Sequence, residues 1–208
     1  IIRGLVGSEM CIRDRDLKVG LADDHEWMGG ASMAQNGVIC NPNIPSEEVF
    51  TTPHALRVEG YVSSTKPLSH QGTLIDNIRV VFEKGSITDA KASKGETVLK
   101  KVLESDEGAR RLGEVALVPN SSPISNSGLL FYNTLFDENA ACHIALGQCY
   151  SKCFKGETNL STSEIRERGG NSSMIHIDWM IGSGEIDIDG FGKNGEVVPI
   201  FRKGEWVD

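Results

Sequence analysis

The sequence has little that would take it to a membrane, to nucleic acid or into an oxidising compartment. No apolar run approaches the ~20 residues of a membrane span. Cationic residues are in the minority: 21 Lys and Arg stand against 29 Asp and Glu, a net charge of −8 at neutral pH. That deficit argues against nucleic acid or an anionic membrane as the main partner, because both select basic surfaces. The first residue is not Met, and the apolar stretch LVG near the start is too short for the core of a secretory leader. The five cysteines are odd in number and contain no CxxC pair, which weakens both a disulfide framework and a knuckle-type structural zinc site. Reduced thiols in a cytoplasmic protein are the expectation that remains. Internal repeats, low-complexity tracts and coiled-coil heptads are also absent.

What is present suits a folded domain: 208 residues, 39% hydrophobic and 24% charged, enough to bury one substantial core. The segment GLVGSEMCIRDR (4–15) shows no helical or strand period and resembles translated adapter sequence. Residues 1–15 are therefore set apart as a non-native tail, and an upstream N-terminal domain is expected to be missing.

From residue 16 onward the patterning predicts an α+β fold, a strand-rich mixed sheet or barrel-like domain with a few helices. DLKVGL (16–21) alternates as a strand. Residues 22–37 form an irregular loop before the short apolar VIC (38–40), and NPNIP (41–45) is a turn. EEVFTT and LRVEGYVSS are strands separated by Pro53. NIRVVFEKGSITDAKAS is a hairpin turning at 83–85. GETVLKKVLES places Val98, Leu99, Val102 and Leu103 on one helical stripe, and Ser105 with Asp106 and Glu107 can cap a further short helix. LGEVALVPN (112–120) is a strand that ends in a Pro/Ser loop. A helix is expected from Glu138 to about Tyr150, and a long polar loop over 155–173. The C-terminal segment makes two or three strands joined by GKNG and RKG turns.

Polar groups on otherwise apolar elements carry the chemical information, since burying a charge is expensive unless it is paired or metal-bound. In MIHIDWMIGSG (174–184), Ile175, Ile177, Trp179 and Ile181 occupy one face of a strand, and His176 and Asp178 occupy the other. Their Cα atoms are roughly 6.6 Å apart, which suits two ligands of one metal or one ligand to each ion of a pair. Taken alone, a His–Asp hydrogen bond is the more common arrangement. Glu114 begins the apolar strand LGEVALV, where an exposed strand end is an equal alternative. His143 lies in ENAACHIALGQCY; on a helix it returns to the face of Tyr150, as a buried core pair or as a site. Glu138 joins that face only if it precedes the helix. Glu47 and Glu48 follow the proline turn and point to opposite sides, as a solvated pair or with one of them directed into a site. Cys142, Cys149 and Cys153 share a helical stripe and read as small buried thiols.

Four runs together, PNIPSEEVFTTP (42–53), LGEVALVPNSSPISNSG (112–128), LFDENAACHIALGQCY (135–150) and NSSMIHIDWMIGS (171–183), resemble the thermophilic-type metalloaminopeptidases, the family of aminopeptidases T and S. The resemblance covers the chain from about Asp16 to its end. It implies that 16–208 is the C-terminal, metal-bearing part of a two-domain enzyme. By this resemblance the metal ligands fall on Glu48, Glu114, His143, His176 and Asp178, with Glu138 at an acidic position of the same centre. Tyr150 matches a tyrosine that polarises or hydrogen-bonds reacting oxygens, and Glu47 is a proton shuttle or amine contact. The implied cofactors are two divalent ions (zinc, cobalt, manganese or magnesium), bridged by Glu114. The implied substrates are peptides with a free N-terminus, cleaved by a metal-activated water. The full-length protein would be a homodimer. The departure from the family pattern is the missing N-terminal domain, so completeness of the cleft, the dimer and activity belong to the full-length protein.

Two other classes use similar residues. Non-haem iron oxygenases pair HxD with a further His, but that His lies downstream of HxD, and this chain has none after His176. A non-catalytic, metal-stabilised binding module is the third reading.

Overall fold

Residues 7–12, 16–41, 46–156, 159–192 and 194–207 are described by a computed structural model of the chain. The strands in chain order begin with β1 (Gly7–Ile12), β2 (Leu17–Leu21), β3 (Met28–Gly29), β4 (Ser32–Met33), β5 (Ile39–Cys40), β6 (Val49–Thr51) and β7 (Pro53–Ser63). Next come β8 (Leu68–His70), β9 (Thr73–Ile75), β10 (Arg79–Glu83), β11 (Ser86–Lys91) and β12 (Leu112–Leu117). The last are β13 (His143–Gly147), β14 (His176–Met180), β15 (Ile188–Gly192), β16 (Val197–Arg202) and β17 (Glu205–Trp206). The helices are short: α1 (Glu96–Leu103), α2 (Pro123–Ser127), α3 (Thr134–Asp137) and α4 (Thr162–Glu167), with 3-10 turns at Glu107–Arg110, Glu138–Ala140 and Ser151–Cys153.

Two open sheets organise these elements. One runs β11-β10-β7-β2-β1-β15-β16-β17 and the other β14-β13-β12-β6-β3, and the strand pairings in both are antiparallel. Their facing side chains merge into a single core. Val19, Val58, Val80 and Phe82 of the first sheet belong to the same buried cluster as Val115, Leu117, Ile144, Leu146, Ile177 and Trp179 of the second. Leu99 and Leu103, on the predicted stripe of α1, close that core from the side. The architecture is the expected strand-rich α+β fold, and no helix among the described residues is long and apolar enough to cross a membrane.

Most elements lie where periodicity places them. The hairpin turns at Lys84 and Gly85, both with positive φ. Asp106 caps the 3-10 turn by accepting from Ala109 N at 2.9 Å. Four expectations need correction. The segment from Glu138 to Tyr150 is not a helix: after a single 3-10 turn it becomes β13, all five residues of which are buried. A strand enclosed on both sides loses its alternation and cannot be told from a buried helix by period. The polar loop after residue 155 contains α4, fixed by a Ser161–Glu164 capping box. A short helix, α2, likewise occupies part of the Pro/Ser loop that follows β12.

The fourth correction concerns the start of the chain, expected to lack a strand. Gly7–Ile12 forms β1 between β2 and β15, with Met10 and Ile12 both 1% exposed. Two buried alternating positions are too few to register as a period. Residues 42–45 of the expected proline turn, residues 4–6 and 13–15 of the tail, and Lys193 of the GKNG turn lie outside the described residues. Among the described residues no cysteine forms a disulfide.

Trp179 is 1% exposed and is among the largest fully buried side chains. It anchors β14 from the core face. Trp179→Ala is expected to cost about 3–5 kcal/mol of stability, read as a lower urea midpoint.

Candidate metal centre

Register explains how five polar side chains come to share one place. Directly opposed residues of antiparallel strands point to the same face. Glu114 on β12 opposes Ala145 on β13, which opposes Asp178 on β14. Ala116 opposes both His143 on β13 and Phe50 on β6, and His176 opposes Gly147. Glu48, two residues before Phe50, joins that face. Glu48, Glu114, His143, His176 and Asp178 therefore project from one side of the smaller sheet, while Val115, Ile144, Leu146, Ile177 and Trp179 project into the core on the other. Ala116, Ala145 and Gly147 lie among the polar residues on that face.

Glu114 reaches this face through an irregularity. Leu112 opposes Leu146 and lies in the core, and the register shifts between Leu112 and Glu114. The extra residue is Gly113, so the bulge reverses the parity of the strand and directs Glu114 to the polar side. A side chain at 113 would meet the carbonyl oxygens of Gln148 at 2.2 Å and Gly147 at 2.5 Å. Only glycine fits.

The five residues fall into two groups, Glu48–Glu114–His143 and Glu114–His176–Asp178, whose donor atoms lie within 4.8 Å of one another. Glu114 belongs to both. Its Oε1 is 4.0 Å from His143 Nε2 and its Oε2 is 3.3 Å from His176 Nε2. His143 Nε2 is 3.6 Å from Glu48 Oε2, and His176 Nε2 is 3.4 Å from Asp178 Oδ1. These separations exceed the ~2.8 Å of a charge-assisted hydrogen bond. They match the ~3.4 Å between two donors that each lie ~2.05 Å from a shared tetrahedral ion.

The imidazoles are set for the same task. His143 Nδ1 lies 3.1 Å from the Ala141 carbonyl and His176 Nδ1 2.7 Å from that of Gln148. An Nδ1–H donating to each carbonyl leaves the inward Nε2 lone pair free as a ligand. The donor set, carboxylates and neutral imidazoles without thiolate, fits hard or borderline divalent ions.

The electrostatics call for positive charge. Burial raises the Glu48 carboxyl above its ordinary value. Burial, with Asp178 beside it, pushes Glu138 up to about 8. Burial works against a charged His176, yet its contacts with Asp178 and Glu114 lift it to about 11. Burial also disfavours the His143 cation, but Asp178, Glu114 and Glu48 raise it overall. Glu48, Glu138, His143 and His176 shift toward holding protons, the response of groups set among surplus negative charge in a poorly solvated place.

The remaining predicted residues divide. Glu138 is 8% exposed, against the cluster, but belongs to neither ligand group. Tyr150 lies with its ring 4.8 Å from that of His176. Burial raises its phenol, which stays protonated. It reaches the centre from the turn that follows β13, not from a helical face. Glu47 is exposed and is in neither group. Cys142, Cys149 and Cys153 are buried apart from the ligand groups. Burial pushes them up to about 12, 11 and 12, so they remain thiols.

Sequence reasoning missed the supports. Asp106 accepts from Met174 N at 2.6 Å and from Ser173 Oγ at 2.9 Å, fixing the approach to β14. Asn171 Nδ2 donates to the carbonyls of Gly108 and Gly147 at 2.8 and 2.7 Å. The NSS triplet before the HxD strand was the available signal.

The whole length of this domain has counterparts. The model of the thermophilic metalloprotease (M29) family matches residues 8–206. Aminopeptidase T of Thermus aquaticus is 55% identical over 192 residues, covering 92% of this chain and 47% of that protein. Aminopeptidase 2 of Geobacillus stearothermophilus is 53% identical, with 91% and 46% covered. The chain thus spans about half the length of the curated relatives it matches. Among solved structures, wild-type AmpT from Thermus thermophilus superposes with a TM-score of 0.91 at 50% identity, covering 97% of this chain and 50% of that one. The 2,5-dihydroxypyridine dioxygenase of Pseudomonas putida KT2440 shares the fold alone, with a TM-score of 0.59 at 15% identity over 98% of this chain and 56% of that one.

Two measurements test the supports. Gly113→Ala must push the strand from its bulge; overpacking of this kind costs about 1–3 kcal/mol, and divalent-ion binding in equilibrium dialysis is expected to fall with it. Asp106 is held below its ordinary value, burial opposing and the Met174, Ser173 and Ala109 contacts prevailing. Its stabilisation is therefore complete above the unfolded carboxyl's pKa of ~3.9 and vanishes as pH drops through the lower folded value. Thermal melts of Asp106→Asn should show a deficit of about 1 kcal/mol at pH 7 that closes at the acid end.

Proposed function

The chain belongs to the thermophilic metalloprotease (M29) family, and from that premise we propose that it is the metal-bearing half of an aminopeptidase with a dinuclear centre. Glu48, Glu114 and His143 would hold one ion and Glu114, His176 and Asp178 the other, with Glu114 bridging. The observation that carries this reading is the division of one carboxylate, its Oε1 toward His143 and its Oε2 toward His176. A carboxylate divided in this way supports two ions with Glu114 between them.

Two divalent ions held there, zinc, cobalt, manganese or magnesium, would supply Lewis acidity toward a peptide carbonyl and a water deprotonated near neutral pH. The protein's own groups do the rest. The Nδ1 bonds of His143 and His176 to backbone carbonyls keep both rings from rotating as charge changes beside them. Trp179 and Ile177 brace the back of the HxD strand, so the ligand face cannot relax toward the core. Tyr150 keeps its proton and can donate from the phenol to an oxygen that gains charge at the carbonyl. Glu138, nearly excluded from solvent beside the ligand groups, can accept a hydrogen bond from the free amino terminus of a peptide. Glu47, next to Glu48 and open to solvent, is the carboxylate we assign to first contact with that amine.

Equilibrium dialysis with elemental analysis should find two divalent ions per chain, and Glu114→Gln should lose at least one. Cleavage of aminoacyl amides by the full-length parent should stop with chelator and should fall at least ~10²-fold in the same variant. One iron per chain, or a single tightly held zinc without hydrolysis, would replace this reading with an oxygenase or a binding module. Chelator-insensitive cleavage would contradict it outright.

A further inference from the structure

The ligand cluster and its surroundings are crowded with acids, and one lysine stands at their edge. Lys152 lies in the 3-10 turn that follows Tyr150. Its Nζ is 4.7 Å from the centre of the Phe50 ring and 5.3 Å from that of Tyr150. Those two rings meet edge to face at 5.8 Å, and Tyr150 continues to the ring of His176 at 4.8 Å. The ammonium is thus two ring contacts from the ligand cluster, and its charge is felt at Glu48.

The manner of holding matters. A ring quadrupole attracts a cation without neutralising it. Among the described residues Lys152 forms no ion pair within 4.0 Å, unlike Lys100, which is paired with Glu96. Its full charge stays available at the mouth of the site. The aromatic pair fixes where that charge is, because Phe50 is anchored on β6 opposite Ala116 and is 3% exposed.

On the peptidase reading of the centre, we propose that Lys152 determines specificity by receiving a substrate carboxylate close to the bond that is cleaved. Two parts of a short peptide carry such a group: the terminal carboxylate of a dipeptide and the side chain of an acidic first residue. Both present the same anion to the same ammonium. A peptide with a basic residue in that position meets a like charge, which is penalised.

Analogues that resist hydrolysis separate the possibilities without relying on turnover. The zinc-loaded full-length parent is titrated calorimetrically with reduced-bond Leu-Gly as the free acid, reduced-bond Leu-Gly amide and reduced-bond Glu-Gly amide. About tenfold tighter binding of the acid than of Leu-Gly amide identifies the terminal carboxylate, and the same margin for Glu-Gly amide identifies the side chain. Lys152→Gln should reduce either ratio to within about twofold, Lys152→Arg should keep it, and added salt should erode it in the native chain. Unchanged urea midpoints in both variants separate this from a role in covering Phe50, which would move stability and leave the ratio alone. Binding of all three analogues with equal affinity, or a ratio that survives Lys152→Gln, overturns the role of Lys152 and leaves the peptidase reading standing. Binding of none of them in the presence of zinc overturns both.

Discussion

The cost of taking charge out of water governs this structure. Three carboxylates and two imidazoles project from one face of a sheet whose other face is sealed in the core. Four of the five are buried or nearly so: Glu114 is 4% exposed, His143 1% and Asp178 7%, and the Glu48 side chain 11%. Isolated ions in such a place are unfavourable by several kcal/mol each. The cluster responds by drawing protons to Glu48, Glu138, His143 and His176 together. A shift of acids and bases in one direction is not the mark of a satisfied ion-pair network, where acids fall as bases rise. It marks a cluster with surplus negative charge in a poorly solvated place.

A rigid frame is needed to keep that unfavourable arrangement from relaxing, and it is distributed over local features. The bulge at Gly113 turns one carboxylate to the face it would otherwise miss. Ala116 and Ala145, both fully buried, stand between the polar side chains, where a leucine would crowd them. Backbone carbonyls of Ala141 and Gln148 set the rings. Asp106 and Asn171 secure the segment that delivers His176. Each contact is worth only about 1 kcal/mol, so the geometry is held by many small terms acting on one sheet.

The sequence exposes this frame unevenly. The HxD strand is legible because one of its faces is wholly apolar, so a period of two survives in Ile175, Ile177, Trp179 and Ile181. The β10–β11 hairpin and α1 are legible for the same reason, since each has one wet side. β13 is not, because burial on both sides removes the contrast on which pattern depends, and His143 is thereby assigned to the wrong kind of element. The five clustered residues are singled out all the same, since a family's motifs specify residue types at fixed spacings whatever the local backbone. Glu114 shows the limit from the other direction. Strict alternation would put it beside Leu112 in the core, and only the glycine between them hints that the parity changes. Lys152 carried no signal, because its significance comes from Phe50, about a hundred positions earlier in the chain.

The two faces of the smaller sheet also divide the kinds of change the protein can tolerate. On the core face, side chains interlock with those of the larger sheet, and a substitution alters stability first. On the polar face the candidate ligands would answer to the ions they hold, while the rim is free of both constraints. Tyr150 and Lys152 lie on that rim, in a turn outside the sheet. A fold that shares its backbone with a dioxygenase at 15% identity cannot dictate chemistry by its topology alone. On the proposed reading, chemistry would be selected by the residues on the polar face, and selectivity by the rim. The physical requirement on the rim is weaker, a charge or ring at the right distance, not a fixed ligand angle. Changes there can redirect what the site accepts without disturbing the cost that the sheet has been built to bear.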